Sequence, residues 1–419
     1  MKGGTWWRIG WRNLGRSRRR SIITASMLAV GYFSVVVMWG WAEGLVAEMI
    51  GNGTEILTGQ LQVHSTNYLP DRSMYETIGG TLGTDVSDLV EQVAHDPAVT
   101  AAAPRVYGGG LVSSGSATSA AMFLGVDPNL EPDVSRIMNA LDRGRQPEPG
   151  ENALLVGAEM ARTLGVEPGD EVVVVAPTID GSLGNDLFVV AGVFTSGMVD
   201  VDRTFAIFPL DALQFLLALP PGRVHEIAAR VSDPWAAPAA AQRIDAQLQS
   251  RQLDVATDAW TTLRPEMVEY ARLTQSFQWV LLAIVFGMAV FGVANTMLLA
   301  TFERRNELAV LLALGTKPSG IIRSVFCEAM GLGVIGLAAG AAMTLPIMVW
   351  WHNAPPDMSW LFGDFTMQGA LIRPVLRVEY SWAMAVYAGV ALFATVTLAS
   401  VYPAFRAARV PPADTMAGR

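Results

Sequence analysis

A chain that spends a nucleotide on its own needs a phosphate cradle, and the usual one is Gly-Lys-[Ser/Thr] opening a helix, where backbone N–H groups and the lysine meet the phosphates. This sequence has two lysines, Lys2 followed by Gly3 and Lys317 between Thr316 and Pro318. Neither fits, so any nucleotide that drives the protein is handled by another polypeptide. The remaining reactive residue types are as sparse. His64, His95, His225 and His352 are far apart in the chain and in no H-x₃-H or HExxH spacing, so no metal is expected. The single Cys327 cannot form an internal disulfide. Ser113-Ser114-Gly115-Ser116 lacks a G-x-S-x-G context and reads as a polar turn. Asn52-Gly53-Thr54 matches the glycosylation pattern, whose meaning depends on the host.

The elements that would have to carry any function are membrane spans. Of 419 residues 51% are hydrophobic and 16% charged, too apolar for an ordinary soluble enzyme. Four runs carry no charge: between Arg20 and Glu43, Leu273–Phe302, Ala329–Asn353 and Tyr380–Phe405. Each is long enough to cross a bilayer, which takes roughly 20 residues. The second is longer still, about 45 Å as a helix against a hydrocarbon core of about 30 Å, and is expected to project as a stalk.

Basic residues set the expected orientation. Lys2, Arg8, Arg12, Arg16, Arg18, Arg19 and Arg20 precede the first run with no acid among them, and Arg304, Arg305, Lys317 and Arg323 flank the short segment after the second. The positive-inside rule makes both cytoplasmic, and four spans return Arg406, Arg409 and Arg419 to the same side. SRRRSII (Ser17–Ile23) has a twin-arginine look, but the apolar run after it exceeds a signal core and no small-x-small site closes it, so cleavage is not expected. Trp7, Trp11 and Leu14 recur at i, i+4, i+7 beside arginines. That pattern suits a helix in the headgroup layer as well as a plain topology-setting flank. Trp350 and Trp351 mark an outer interface.

The resulting organisation is a basic interfacial segment (1–20), a first span (21–43), an external domain (44–270), a second span with stalk (271–302), a cytoplasmic helix (303–320), a third span (321–352), an external loop (353–379), a fourth span (380–405) and a cytoplasmic tail (406–419). The fold class is an α-helical membrane protein with four transmembrane helices and a large α+β periplasmic domain between the first and second spans. Gly44–Arg272 holds 13 arginines, no lysine and 30 acids, so the chain's net charge of −9 belongs to this external part. Strands are predicted at Gln60–Ser65, Ala121–Val126, Glu171–Ala176, Leu187–Phe194, Thr204–Phe208 and Glu226–Val231. Helices are predicted at Val86–His95, Gly157–Leu164, Leu210–Leu219 and Trp235–Gln252, in one α+β domain or two subdomains. Between two strands APTIDGSLGND (Ala176–Asp186) forms a hairpin or exposed loop, and Asp180, Asn185 and Asp186 make it a candidate docking loop as well as a connection.

Charge is nearly absent from the spans, which disfavours a proton-coupled carrier. Glu328 is the one acid near a span, at a depth where it reaches the interface. Between the second and third spans lies FERRNELAVLLALGTKPSGIIR, in which Leu308, Leu311, Leu312 and Gly315 fall at i, i+3, i+4, i+7 and Ala-Leu-Gly-Thr-Lys-Pro ends the helix. Periodicity fits two roles: a surface helix that anchors a loop, and a ball that fits a socket on a cytoplasmic motor.

WRNLGRSRRRSIIT (Trp11–Thr24), TGQLQVHSTNY (Thr58–Tyr68), NTMLLATFERRNELAVLLALGTKPSGIIR (Asn295–Arg323) and SVYPAFRAARVPPADTM (Ser400–Met416) resemble the FtsX/MacB-type permeases of ABC transporters, most nearly the LolC/LolE-like branch. The resemblance covers nearly the whole chain, with an FtsX-like permease domain at about 275–412. It implies a non-catalytic permease subunit in a bacterial inner membrane, paired with a second permease, identical or homologous. ATP and Mg would sit on a separate cytoplasmic ATPase. It implies Glu303, Arg304, Arg305, Glu307, Leu311, Leu314, Gly315 and Lys317 as the coupling element. The Lol-like branch extracts lipoproteins from the outer leaflet of the inner membrane and passes them to a periplasmic carrier. An apolar cleft would hold the acyl chains, with Val36, Met38, Trp39, Phe286, Met288 and Phe291 at suitable depth. A carrier-docking hook would fall in the Ala176–Asp186 loop, which is short and acidic here. The alternatives within the resemblance are MacB-like efflux of peptides or drugs and FtsX-like mechanical control of a periplasmic hydrolase. No nucleic-acid partner is expected.

Overall fold

The computed structural model describes residues 8, 11–12, 14–15, 18–80, 85–357, 360, 365–367, 370–372, 375 and 377–411. Trp7 of the predicted interfacial helix, part of the 353–379 loop and the tail beyond Pro411 lie outside the described residues. The chain divides into two compact units. One takes in residues up to Ala47, Tyr270–Asp357 and everything from Val375; the other takes in Glu48–Glu269 and 358–374.

In chain order the helices used below are α1 (Arg18–Gly53), α2 (Val86–Ala94), α3 (Ala158–Leu164), α4 (Leu210–Leu216), α5 (Ala237–Gln249), α6 (Pro265–Glu303), α7 (Arg305–Ala313), α8 (Pro318–Asn353) and α9 (Trp382–Ala408). Four of them, α1, α6, α8 and α9, are long and apolar enough to cross a membrane. With 39 residues, α6 extends about 58 Å, nearly twice a hydrocarbon core.

The helical unit is held together by one stripe from each long helix. On α1, Leu28, Tyr32, Val35, Val36 and Trp39 repeat at three- and four-residue steps, and they pack against Phe286, Val293 and Met297 of α6, Ala329 of α8, and Met384, Ala388, Leu392 and Val396 of α9. Small residues bring the helices close. A Cβ on Gly336 of α8 would stand 2.7 Å from Leu28 Cβ, so α1 lies against bare backbone there. Trp39 meets Trp279 edge-on at 5.2 Å.

The other unit is built on strands β1 (Leu61–Ser65), β2 (Ile78–Gly79), β3 (Val99–Ser114), β4 (Ala117–Val126), β5 (Leu141–Gly144), β6 (Ala153–Gly157), β7 (Glu171–Pro177), β8 (Leu183–Phe194), β9 (Phe205–Pro209), β10 (Arg223–Val224), β11 (Glu226–Val231) and β12 (Val255–Ala259). One ten-stranded sheet runs β12-β1-β11-β3-β4-β9-β6-β8-β5, and β7 pairs with both β3 and β8. That second pairing closes β3-β4-β9-β6-β8-β7 into a barrel, while β11, β1 and β12 continue as an open extension. Closure removes the free edges that a six-stranded sheet would expose. Phe123, Phe188 and Phe208 fill the core in edge-on pairs 5.1–5.2 Å apart. The fold class is thus α+β as predicted from the strand and helix patterns, with one ten-stranded sheet and a separate β2–β10 pair.

The predicted strands and helices of this unit all form, within a few residues of the expected limits. The longest strand, β3, was not predicted. Its sequence VTAAAPRVYGGGLVSS holds a proline and three consecutive glycines, which local propensity reads as a breaker. Tertiary contact explains Gly110: a Cβ there would lie 2.1 Å from the Val175 carbonyl of β7, so glycine lets β7 close the barrel.

Candidate functional site

The predicted cytoplasmic helix is α7, and its ends follow from local chemistry. At Arg304 the backbone departs from α6, and α7 runs nine residues to Ala313. Gly315 then takes φ +86°, Gly315 N–H donates to Leu312 O at 3.0 Å and Thr316 N–H donates to Leu311 O at 3.0 Å. This is the paired hydrogen bonding of a Schellman stop, which needs a residue tolerant of the left-handed region. Pro318 opens α8 directly afterwards, its missing N–H costing nothing there. The turn thus fixes α7 to α8 with one intervening loop of four residues.

Its faces divide differently from the expected single stripe. Leu308 and Ala309 are buried, and Leu308 packs with Leu312, Ile321, Val325 and Ala407. Leu314 points the other way at 79% exposure, and Leu311 lies exposed at the flank between the two faces. Leu308 and Leu312 therefore anchor the helix to α8 and α9, leaving Val310, Leu311 and Leu314 as an outward apolar surface beside exposed Glu307, Gly315 and Lys317.

Two of the expected coupling charges are paired within the helical unit. Glu303 accepts from Arg20 Nη1 at 2.6 Å, tying the end of α6 to the start of α1. Arg304 donates to Glu307 at 3.3 Å and to Glu328 of α8 at 3.1 Å. Glu328, only 7% exposed, is thus placed by a guanidinium partner. A small cavity of about 120 Å³ lies beneath, lined by Met297, Arg304, Leu311, Ile321 and Glu328. Sequence reading found Glu328 and Arg304 separately. Their 24-residue separation carries no local signal of pairing; only the turn that folds α8 back against α6 joins them.

The six residues named for an apolar cleft split in the same way. Val36, Trp39 and Phe286 are buried in the bundle core, whereas Met38, Met288 and Phe291 are exposed, Phe291 by 78%. These six share a depth along the helices, and depth ignores the 100° turn per residue that decides facing. On α6 the exposed apolar residues form a stripe of their own: Leu273, Phe277, Val280, Ile284, Met288 and Phe291.

In the other unit, the candidate docking loop is tighter than expected. β7 continues to Pro177 and β8 begins at Leu183, so Asn185 and Asp186 are strand residues paired with Val175 and Val174. Only Thr178–Ser182 turns. Asp180 accepts from Thr178 Oγ1 at 2.5 Å and from Ser182 N–H at 2.9 Å. Those bonds from Thr178 and then Ser182 pull its carboxyl down to about 2. Asp180 therefore holds its own turn, and the exposed apolar Leu183 stands beside it.

A buried charge cluster in this unit escaped sequence reading. Arg105 of β3 donates to Glu131 at 2.6 Å and stands 3.5 Å from Glu226 of β11, its partner in strand register; all three side chains are wholly buried. Tyr107 Oη donates to Glu226 at 2.9 Å. Burial pushes the Glu226 carboxyl up, against the opposing pull of Arg105. Two of the four histidines flank the cluster, with Tyr68 between them at 5.4 Å from His64 and 6.4 Å from His225. His225 Nδ1 accepts from Tyr107 N–H at 3.0 Å, and its Nε2 faces the Met74 carbonyl at 3.0 Å. One nitrogen accepting and the other donating fixes a neutral ring, and burial holds its pKa below the usual 6.5. The arrangement pairs Arg105 with both acids and braces β3 against β11.

Residues 21–247 match the family model described as MacB-like periplasmic core domain, and residues 279–412 match FtsX-like permease C-terminal. The chain belongs to the FtsX/MacB permease family. Over 97% of its length it is 25% identical to 97% of the lipoprotein-releasing system transmembrane protein LolC of Xylella fastidiosa. It is 23% identical to LolE of Haemophilus influenzae over 78% of this chain and 80% of that one. It is 26% identical to the pyoverdine export ATP-binding/permease protein PvdT of Pseudomonas aeruginosa, over 81% of this chain and 50% of that one. As a member of the family this chain joins the four apolar helices of a permease to a MacB-like domain.

Proposed function

We propose that this protein is the non-catalytic permease subunit of an ABC transporter that extracts lipoproteins, or similar amphiphiles, from the outer leaflet of a bacterial inner membrane. The observation that carries the reading is the end-to-end similarity, 97% of both chains, to a lipoprotein-releasing transmembrane protein. In this reading both termini and α7 are cytoplasmic, and the Glu48–Glu269 unit is periplasmic, between the first and second spans. A separate ATPase carries ATP and Mg; the sequence here holds no Gly-Lys-[Ser/Thr].

The division of labour follows from the faces of α7. Leu311 and Leu314, with Glu307, Gly315 and Lys317, dock the ATPase, because they are exposed and the anchoring side of the helix is spent on α8 and α9. Arg304–Glu328 and Arg20–Glu303 carry its displacement into α8 and α1. A second permease covers the upper part of the outward stripe of α6, at Leu273, Phe277 and Val280. The uncharged run Leu273–Phe302 is about 45 Å long against a core of about 30 Å, so with the Glu303 end at the cytoplasmic face these three stand above the core and need a protein partner. Met38, Met288 and Phe291, exposed at mid-helix, are the members of the cleft set left to meet acyl chains. Val36, Trp39 and Phe286 shape that wall from behind. Leu183 at the β7–β8 turn is the apolar point that a periplasmic carrier would touch.

Depletion of the protein in its host, followed by separation of inner and outer membranes, tests the substrate. Lipoproteins should accumulate in the inner membrane. Normal lipoprotein sorting with a periplasmic hydrolase switched off would refute extraction and favour mechanical regulation, and normal sorting with a lost efflux phenotype would favour export.

A further inference from the structure

A cavity of about 720 Å³ opens where α6 and α9 end and α7 begins, all within the helical unit. Its wall is apolar and aromatic, with Leu298 and Phe302 from α6 and Phe405 from α9. Its rim carries three guanidinium groups, those of Arg305, Arg406 and Arg409. Among the described lining residues there is no carboxylate. Arg406 donates to Tyr402 Oη at 3.0 Å and lies 5.1 Å from the centre of the Phe302 ring, a cation resting on aromatic surface. The neighbouring cations behave otherwise: Arg20 is paired with Glu303, and Arg304 with Glu307 and Glu328.

Helix dipoles account for part of this pattern. Arg406 and Arg409 close α9, where a cation is favoured by the negative helix end. Arg305 is the first residue of α7, where the positive end repels it. Three like charges around one cavity, one of them against the local dipole, call for an anion. The cavity's position says which kind. It lies at the ends of two helices that are each apolar enough to cross a membrane, so it opens at headgroup depth. Basic pockets between spanning helices suit anionic lipid headgroups, and the Leu298, Phe302 and Phe405 wall suits the chain below such a headgroup.

We propose that this cavity binds one anionic phospholipid, with its phosphate on Arg305, Arg406 and Arg409 and its acyl chain against Phe302 and Phe405. The lipid bridges the first residue of α7 to the end of α9. This rests on the membrane reading above, because it needs those helix ends at headgroup depth.

The full-length protein is reconstituted in vesicles of equal phosphatidylcholine and phosphatidylglycerol, then released in detergent, and the retained lipid is counted by native mass spectrometry. Phosphatidylglycerol should be enriched in the protein-bound fraction. Arg305→Gln and Arg406→Gln should each lower that enrichment about fivefold, the worth of one basic residue at an anionic surface, and adding Arg409→Gln should remove it. Replacing Arg18 and Arg19 by Gln, at the start of α1, should leave it unchanged. Enrichment that survives the triple substitution would overturn the proposal. So would unchanged enrichment with loss of a co-purified ATPase, which would give the cavity to a protein partner. Alkaline carbonate extraction of the same vesicles separates the two levels. An inserted chain without enrichment overturns the lipid site alone; an extractable chain overturns the membrane reading and the site with it.

Discussion

The Arg304–Glu328 contact should decide whether ATPase movement reaches the membrane helices, and its disruption separates docking from transmission. The nitrogen and oxygen are 3.1 Å apart, with the arginine side chain 27% and the glutamate 9% exposed. At an effective dielectric of about 20, charges this close attract by ~5 kcal/mol, most of it offset by desolvation. Removing one partner of such a half-buried pair costs about 1–3 kcal/mol. Arg304→Gln should fall at the upper end, because it takes a guanidinium away from a glutamate that water scarcely reaches. Glu328→Gln should fall at the lower end, because Arg304 keeps Glu307. Since 1.4 kcal/mol is a factor of ten, the equilibrium constant for joining α7 to α8 should drop about fivefold for Glu328→Gln and roughly a hundredfold for Arg304→Gln. In proteoliposomes containing the ATPase, lipoprotein release per ATP hydrolysed should fall accordingly while the ATPase still co-purifies, its docking residues being untouched. The double variant Arg304→Gln with Glu328→Gln should cost less than the sum of the two single effects, giving a coupling energy of about 1–2 kcal/mol in the double-mutant cycle. Single variants with undiminished release per ATP, or single effects that simply add in the double variant, would refute transmission through this contact.

Other expectations follow from single features. Leu314→Asp, at a side chain 79% exposed, should change unfolding temperature little, within about 0.5 kcal/mol, yet abolish ATPase co-purification; a retained ATPase would remove Leu314 from the docking surface. Arg105→Met leaves Glu131 and Glu226 buried without their cation and should cost about 3–5 kcal/mol in thermal unfolding. Adding Glu131→Leu and Glu226→Leu should recover much of it, and a single variant as stable as the parent would show the cluster unimportant. His225 has its pKa held below 6.5 by burial, so the neutral ring's contribution is complete above that value and is lost as pH falls through the folded pKa. Thermal stability of the Glu48–Glu269 unit should therefore decline below pH 6.5, where the charged ring can no longer accept from Tyr107 N–H, and His225→Gln should flatten the decline; an equal slope in both would exclude this histidine.

Much of the molecule could be read without coordinates because it depends on local rules. Uncharged runs set the four long helices through the length of a bilayer, and alternating runs set most of the strands. Gly315 and Pro318 stopped and restarted a helix through backbone geometry that a few residues specify among themselves. The sequence also excluded a resident P-loop, since that motif is contiguous. What it left open were choices between faces and partners. Leu308 and Leu311 share a stripe by spacing, but only packing against Ile321 and Ala407 decided that the first is buried and the second exposed. Glu303 and Arg304 read as neighbours on one charged helix, and the fold sent one to Arg20 and the other to Glu328. By propensity Gly110 marks a break in β3, whereas in the fold the Val175 carbonyl occupies the space its side chain would take. Arg105, Glu131 and Glu226 lie up to 121 positions apart, and Arg305 lies about a hundred from Arg406. Charge pairing over such separations leaves no period in the chain, because it is set by which helices and strands are brought together. Tertiary structure alone supplies that.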